Sequence, residues 1–192
     1  MKVKVSFSIF LAILAMSGGC SLLSKPHYKE TAFYDLGAQK DVPHISSVPV
    51  EFLPFSDATG NGVRFLIRGV GGGVRLDAYN CFSAPPAQLI RRRLIELFPA
   101  SFSDGSVKVS GSLNRLECDR ARGSVLMAID YRLSCNKQKK AVRHRIETKA
   151  LRFDGPGIAA AFEKAVIISA QRLAGDVSAF KKQCVFTTEK KK

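Results

Sequence analysis

Residues 107–150 read VKVSGSLNRLECDRARGSVLMAIDYRLSCNKQKKAVRHRIETKA, and apolar side chains recur at every second position through most of the stretch. Val107, Val109, Gly111 and Leu113 alternate with polar residues. Val125, Met127, Ile129, Tyr131 and Leu133 do so against Ser124, Asp130, Arg132 and Ser134. Val142, Ile146 and Ala150 carry the pattern into a third segment. A period of two puts successive side chains on opposite faces of a strand. Short polar breaks at Asp119 to Gly123 and Asn136 to Lys140 then predict an antiparallel meander with one buried and one wet face.

Helical periodicity flanks this sheet. Ser83-Ala84-Pro85-Pro86 starts a helix that runs to Phe98, since proline suits a first turn whose amides have no helical partner. Ile90, Leu94, Leu97 and Phe98 make its apolar stripe, and Arg91, Arg92 and Arg93 are expected across the other side as candidate contacts for an anionic partner. A second helix is expected from 156 to about 179, with Ile158, Phe162, Ala165, Ile168 and Leu173 toward the core and Gly175 near its end.

Upstream lie shorter strand candidates. Ala32 to Gly37 is one, and Val48 to Phe55 another, placed at an edge because Pro49 and Pro54 lack the amide hydrogen of a central ladder. Val63 to Arg68 and Val74 to Leu76 flank Gly69-Val70-Gly71-Gly72-Gly73. That cluster lacks the third glycine and the helix of a dinucleotide loop, so it reads as a hairpin turn. The expected fold class is α+β: a mostly antiparallel sheet with two helices packed on one face, in a single domain over 32–180.

The first twenty residues say where the chain goes. Lys2 and Lys4 precede the uncharged run VSFSIFLAILAM, and Ser17-Gly18-Gly19 abuts Cys20. This is the layout of an export leader, too short to span a bilayer permanently. Small residues before a cysteine resemble the lipobox of bacterial lipoproteins, whose cysteine is acylated after cleavage; Ser17 departs from the aliphatic residue usual there. The alternative is an ordinary leader with a disulfide-forming cysteine near the mature start. On the lipobox reading, 1–19 is the signal peptide, 20–31 a lipidated tether and 181–192 a basic tail. Ser21, where enteric lipoproteins held at the inner membrane carry Asp, then points to the periplasmic face of the outer membrane.

Bulk properties suit such a domain. Hydrophobic residues make up 46% and charged residues 24%, ordinary for a globular fold. The net charge of +14 falls to +12 without Lys2 and Lys4, favouring a membrane surface or an acidic partner. An exported chain does not normally meet nucleic acid. If Cys20 carries lipid, Cys81, Cys118, Cys135 and Cys184 remain, and four cysteines allow three disulfide connectivities or buried thiols.

The sequence offers no chemistry to match. His27, His44 and His144 stand apart without metal-ligand spacing, no nucleophile elbow occurs, and the acidic residues are scattered. No catalytic residue, metal or cofactor is expected, and the chain reads as a non-enzyme.

RFLIR at 64–68 followed by VRLDAYNCFSAPPAQLIRRRLIELF at 74–98 resembles the ABC-type transport auxiliary lipoprotein family, the lipoprotein subunits of mammalian-cell-entry (MCE) and paraquat-inducible lipid transport systems. The matching positions are Arg68, Tyr79, Pro85, Pro86, Leu89 and Leu94, with Phe82 where that family carries Trp. The resemblance implies a membrane-anchored subunit of a cell-envelope ABC transporter that docks MCE and ABC subunits, with phospholipid as a candidate ligand and copy number left open. The other expectation is an outer-membrane scaffolding lipoprotein on a β-barrel or peptidoglycan.

Overall fold

A computed structural model describes residues 29–37, 44–100 and 106–189. Cys20, His27, most of the expected tether and Lys190 to Lys192 lie outside the described residues.

The meander forms as its alternation demands. Strands β6 (Val107–Asp119), β7 (Ser124–Cys135) and β8 (Gln138–Lys149) pair antiparallel along nearly their whole length, and a two-residue turn at Asn136 and Lys137 closes β7 on β8. Asn136 takes φ 55°, a region asparagine tolerates better than most residues. Val109, Leu113, Ile129, Met127 and Tyr131 are buried on one face, while Arg132, Arg143 and Arg145 stand on the other.

The earlier strands add to the other side of β6: β1 (Ala32–Tyr34), β2 (Val50–Phe52), β3 (Ser56–Asp57), β4 (Arg64–Arg68) and β5 (Val74–Phe82). The sheet runs β1-β5-β4-β6-β7-β8, with β2 and β3 also on β6. It is mixed, a correction to the mostly antiparallel expectation. The long ladders are antiparallel, but β1 joins β5, and β2, β3 and β4 join β6, in parallel. Parallel neighbours need a crossover, and here loops and α1 (Pro86–Leu97) supply it.

Helix α1 opens with Pro86 in its first turn and ends at Phe98, just before Pro99. Helix α2 (Gly155–Glu189) crosses β7 and β8 on the same face of the sheet. It continues well past the expected end near 179. Gly175 costs ~1 kcal/mol relative to alanine, but Val177, Phe180 and Cys184 bury beyond it. Each such apolar burial returns ~1.5–3 kcal/mol, so the helix holds. Where the ring of Phe55 lies on β6, only a glycine fits: a Cβ on Gly111 would meet that ring at 2.7 Å. Thr31 onward forms one compact unit.

Candidate functional site

Residues 64–98, which carry the family-like pattern, fold as one continuous strand–turn–strand–helix unit. The glycine run is the tip of the β4–β5 hairpin, where the Gly69 amide donates to the Gly73 carbonyl at 2.8 Å and the Gly72 amide to the Gly69 carbonyl at 3.1 Å. No helix follows it, as the hairpin reading expects.

Most pattern residues are structural. Phe82 is buried, its ring centroid 4.5 Å from that of Phe65 and 5.6 Å from that of Phe162. Pro86, Leu89 and Leu94 face the core, and Pro85 caps α1. Tyr79 differs: it sits in the bulge of β5, where Asp77 accepts from its amide at 2.9 Å, and it is 42% exposed. Arg68 donates to Glu117 through Nε and Nη2, both at 3.0 Å. Arg115 donates to the same Oε1 that Arg68 Nε reaches, so one buried carboxylate is shared by two guanidinium groups. Burial opposes ionisation of Glu117, but hydrogen bonds from Arg68 and Arg115 outweigh it and hold the carboxyl below its ordinary value.

The three arginines of α1 do not fan over a solvated face. Arg93 is buried and bridges Glu96 at 2.8 Å and Glu163 at 3.3 Å, tying α1 to α2. Arg91 donates to the carbonyls of Phe52 and Leu53 at 2.7 and 2.9 Å. Arg92 pairs with Asp35. Spacing carried the warning for Arg93, which lies three residues after Ile90 and four before Leu97, on the apolar stripe.

One polar cluster had no sequence signal at all. Ser169 of α2 lies 2.9 Å from the Tyr131 hydroxyl and 3.1 Å from Nδ1 of His144; His144 Nε2 lies 3.0 Å from Asp176. With Nε2–H donating to Asp176, Nδ1 accepts the Ser169 hydroxyl. Serine, histidine and carboxylate in line have the composition of a nucleophilic triad. Here the serine is fully buried and already engaged by Tyr131. The cluster therefore locks β7, β8 and α2 together rather than offering a nucleophile to solvent. Among the described residues, no group of His, Cys, Asp and Glu could hold a metal ion.

The face of the sheet opposite the helices is a basic surface. A groove of about 690 Å³ crosses it, lined by Ser110, Ser112, Arg132, Ala141 and Arg143 among others. Asp130 holds Arg143 at 2.6 and 2.8 Å, and that pairing keeps the Asp130 carboxyl below its ordinary value. Arg132, Lys139 and Arg145 stand exposed beside this pair. Such a surface suits a broad anionic partner. The four described cysteines are buried thiols, none in a disulfide. Burial pushes the Cys118 thiol up to about 11. Among the described residues, no helix is long and apolar enough to cross a membrane.

No protein-family model and no curated protein matches the chain. Solved structures do share its α+β architecture. A protein of the domain-of-unknown-function family DUF330 from Xanthomonas campestris aligns with TM-score 0.61 and 16% identity, over 79% of this chain and 99% of that one. An uncharacterised protein aligns with TM-score 0.65 and 9% identity, over 78% of this chain and 99% of its own. A Caulobacter crescentus CB15 chain described as a candidate lipoprotein overlaps half of this chain, at 19% identity and TM-score 0.34, too loosely to define a common fold. At these identities the likeness to the first two is one of fold.

Proposed function

We propose that this chain is a non-catalytic lipoprotein subunit of a cell-envelope ABC transport system that moves phospholipid between membranes. Its acylated Cys20 tethers the domain to the periplasmic face of the outer membrane. The body docks an MCE-type partner, and the basic sheet face orients it toward an acidic partner surface. ATP binding and membrane passage belong to other subunits.

The observation that carries this reading is the presence, in one chain, of the Ser17-Gly18-Gly19-Cys20 junction and the 64–98 pattern. The position of Tyr79 outside the core, at 42% exposure, adds support, because partner contacts fall on surface side chains. Affinity purification from detergent-solubilised membranes tests it. Recovery of an MCE protein and an ABC permease is the expected result. Recovery of a β-barrel assembly protein in their place overturns it in favour of the scaffolding role.

A further inference from the structure

The loops at one end of the sheet carry an unusual set of side chains. Leu151 and Val70 are the most exposed large hydrophobic side chains among the described residues, at 97% and 84%. They lie far apart in sequence, yet the register brings them to the same end. Arg68 of β4 pairs with Asp119 of β6, so the tip at Gly69 to Gly73 stands beside the β6–β7 turn. The Arg120 amide donates to the Arg68 carbonyl at 3.0 Å, and the Ala150 amide to the Gly123 carbonyl at 3.1 Å. From β4 to β8 is three strand spacings, ~14 Å, which is the lateral scale separating Val70 from Leu151.

Arginines surround these two residues. Arg75 and Arg120 line a shallow groove with Val70 and Val74. Arg122 and Arg152 are exposed in the neighbouring loops, each near one aspartate. Exposed aliphatic tips within a ring of guanidinium groups match the headgroup–acyl boundary of an anionic bilayer, where the aliphatic groups leave water and the cations meet phosphate.

The path of the chain points the same way. Strand β1 runs parallel to β5, which leads away from the tip. β1 therefore also runs away from the tip, with Ala32 opposite Asn80, about 20 Å beyond the start of β5. Cys20 lies twelve residues upstream, a reach of at most ~43 Å.

We propose that this end of the sheet rests on an anionic phospholipid surface, with Val70 and Leu151 seated among the headgroups and the arginines on phosphate. This rests on the anchored reading of Cys20. It adds a second, non-covalent contact that fixes how the domain stands on its membrane and leaves the basic sheet face turned sideways to a partner.

The chain has no tryptophan, so one introduced residue is a unique fluorescent reporter. The full-length protein with Val70→Trp, Leu151→Trp or, at the opposite end of the sheet, Lys137→Trp is purified from membranes. It is then reconstituted into phosphatidylethanolamine–phosphatidylglycerol vesicles containing dibrominated phospholipid. The expected result is blue-shifted emission and at least twofold bromine quenching at positions 70 and 151, with Lys137→Trp water-like and unquenched. Protein that floats with the vesicles but shows all three positions equally open to aqueous iodide overturns the bilayer contact alone. Val70→Trp shielded only after partner protein is added also overturns it, in favour of a protein dock. Protein that does not float, with Cys20 bare by mass, overturns the anchored reading and this proposal together.

Discussion

Nε2 of His144 lies 3.0 Å from the Asp176 carboxylate, joining the middle of β8 to a residue of α2 that stands 32 positions further along the chain. Through Ser169 the same imidazole reaches Tyr131 on β7, so one buried relay fixes the helix on two strands.

Ser169→Ala should therefore destabilise the fold. It leaves the Tyr131 hydroxyl and His144 Nδ1 buried without their partner, at a cost of about 1–3 kcal/mol. Urea unfolding would read this as a lower midpoint at unchanged slope. Partner recovery from membranes should stay at wild-type level, because the relay does not face solvent.

Acid should act through Glu117. Its folded-state pKa is depressed, so at pH values between the folded and unfolded pKa the unfolded chain binds more protons and stability rises with pH. The contribution is complete above the unfolded carboxylate value, near ~4.3, and is lost as pH falls through the folded one. Glu117→Gln should lower stability at neutral pH and flatten the acid limb. An unchanged acid limb, followed by circular dichroism, would show that the Arg68–Glu117–Arg115 cluster contributes nothing to it.

Two close approaches predict steric penalties. At Gly111, alanine would strike the Phe55 ring and should cost about 1–3 kcal/mol. At Gly155, a Cβ would strike the Tyr34 hydroxyl and Asn80, whose side chains are hydrogen-bonded to each other at 3.3 Å. Gly71, where an added Cβ would meet nothing within 4 Å, is the control site. Thermal melts of the three alanine variants should rank Gly71→Ala the most stable.

Cys184 Sγ lies 3.9 Å from the Cys135 carbonyl, and the Cys135 thiol is a hydrogen-bond partner of Cys184. Burial first, and then that hydrogen bond, push the Cys184 thiol up to about 11, so Cys184 is slow to react at neutral pH. Oxidised glutathione at pH 9 should close a Cys135–Cys184 disulfide, two hydrogens lighter, releasing two reduced glutathiones. The cross-link should add ~2–4 kcal/mol of stability. Peptide mapping that finds Cys184 joined instead to Cys81 or Cys118 would contradict this geometry.

The meander was legible because alternation over a dozen residues leaves no second solution, and α1 because proline and an apolar stripe mark its start and face. The short strands were less so. β2 and β3 span three and two residues, and their parallel partners on β6 are chosen by long-range packing. The end of α2 was not legible because Gly175 weakens a helix locally while Val177, Phe180 and Cys184 hold it from a distance. The relay of Tyr131, His144, Ser169 and Asp176 left no trace in spacing, since it draws on three separate elements. The loop end with Val70 and Leu151 was hidden likewise, since two isolated apolar residues mean little until register brings them together.

The central claim is that an acylated Cys20 holds this domain on a membrane while it works through contacts with its neighbours. Intact mass of the protein purified from its native membranes tests that most directly. The account predicts a chain beginning at residue 20 and carrying a diacylglyceryl thioether and an N-acyl group. A mature chain cut elsewhere, with the Cys20 thiol unmodified, would contradict it.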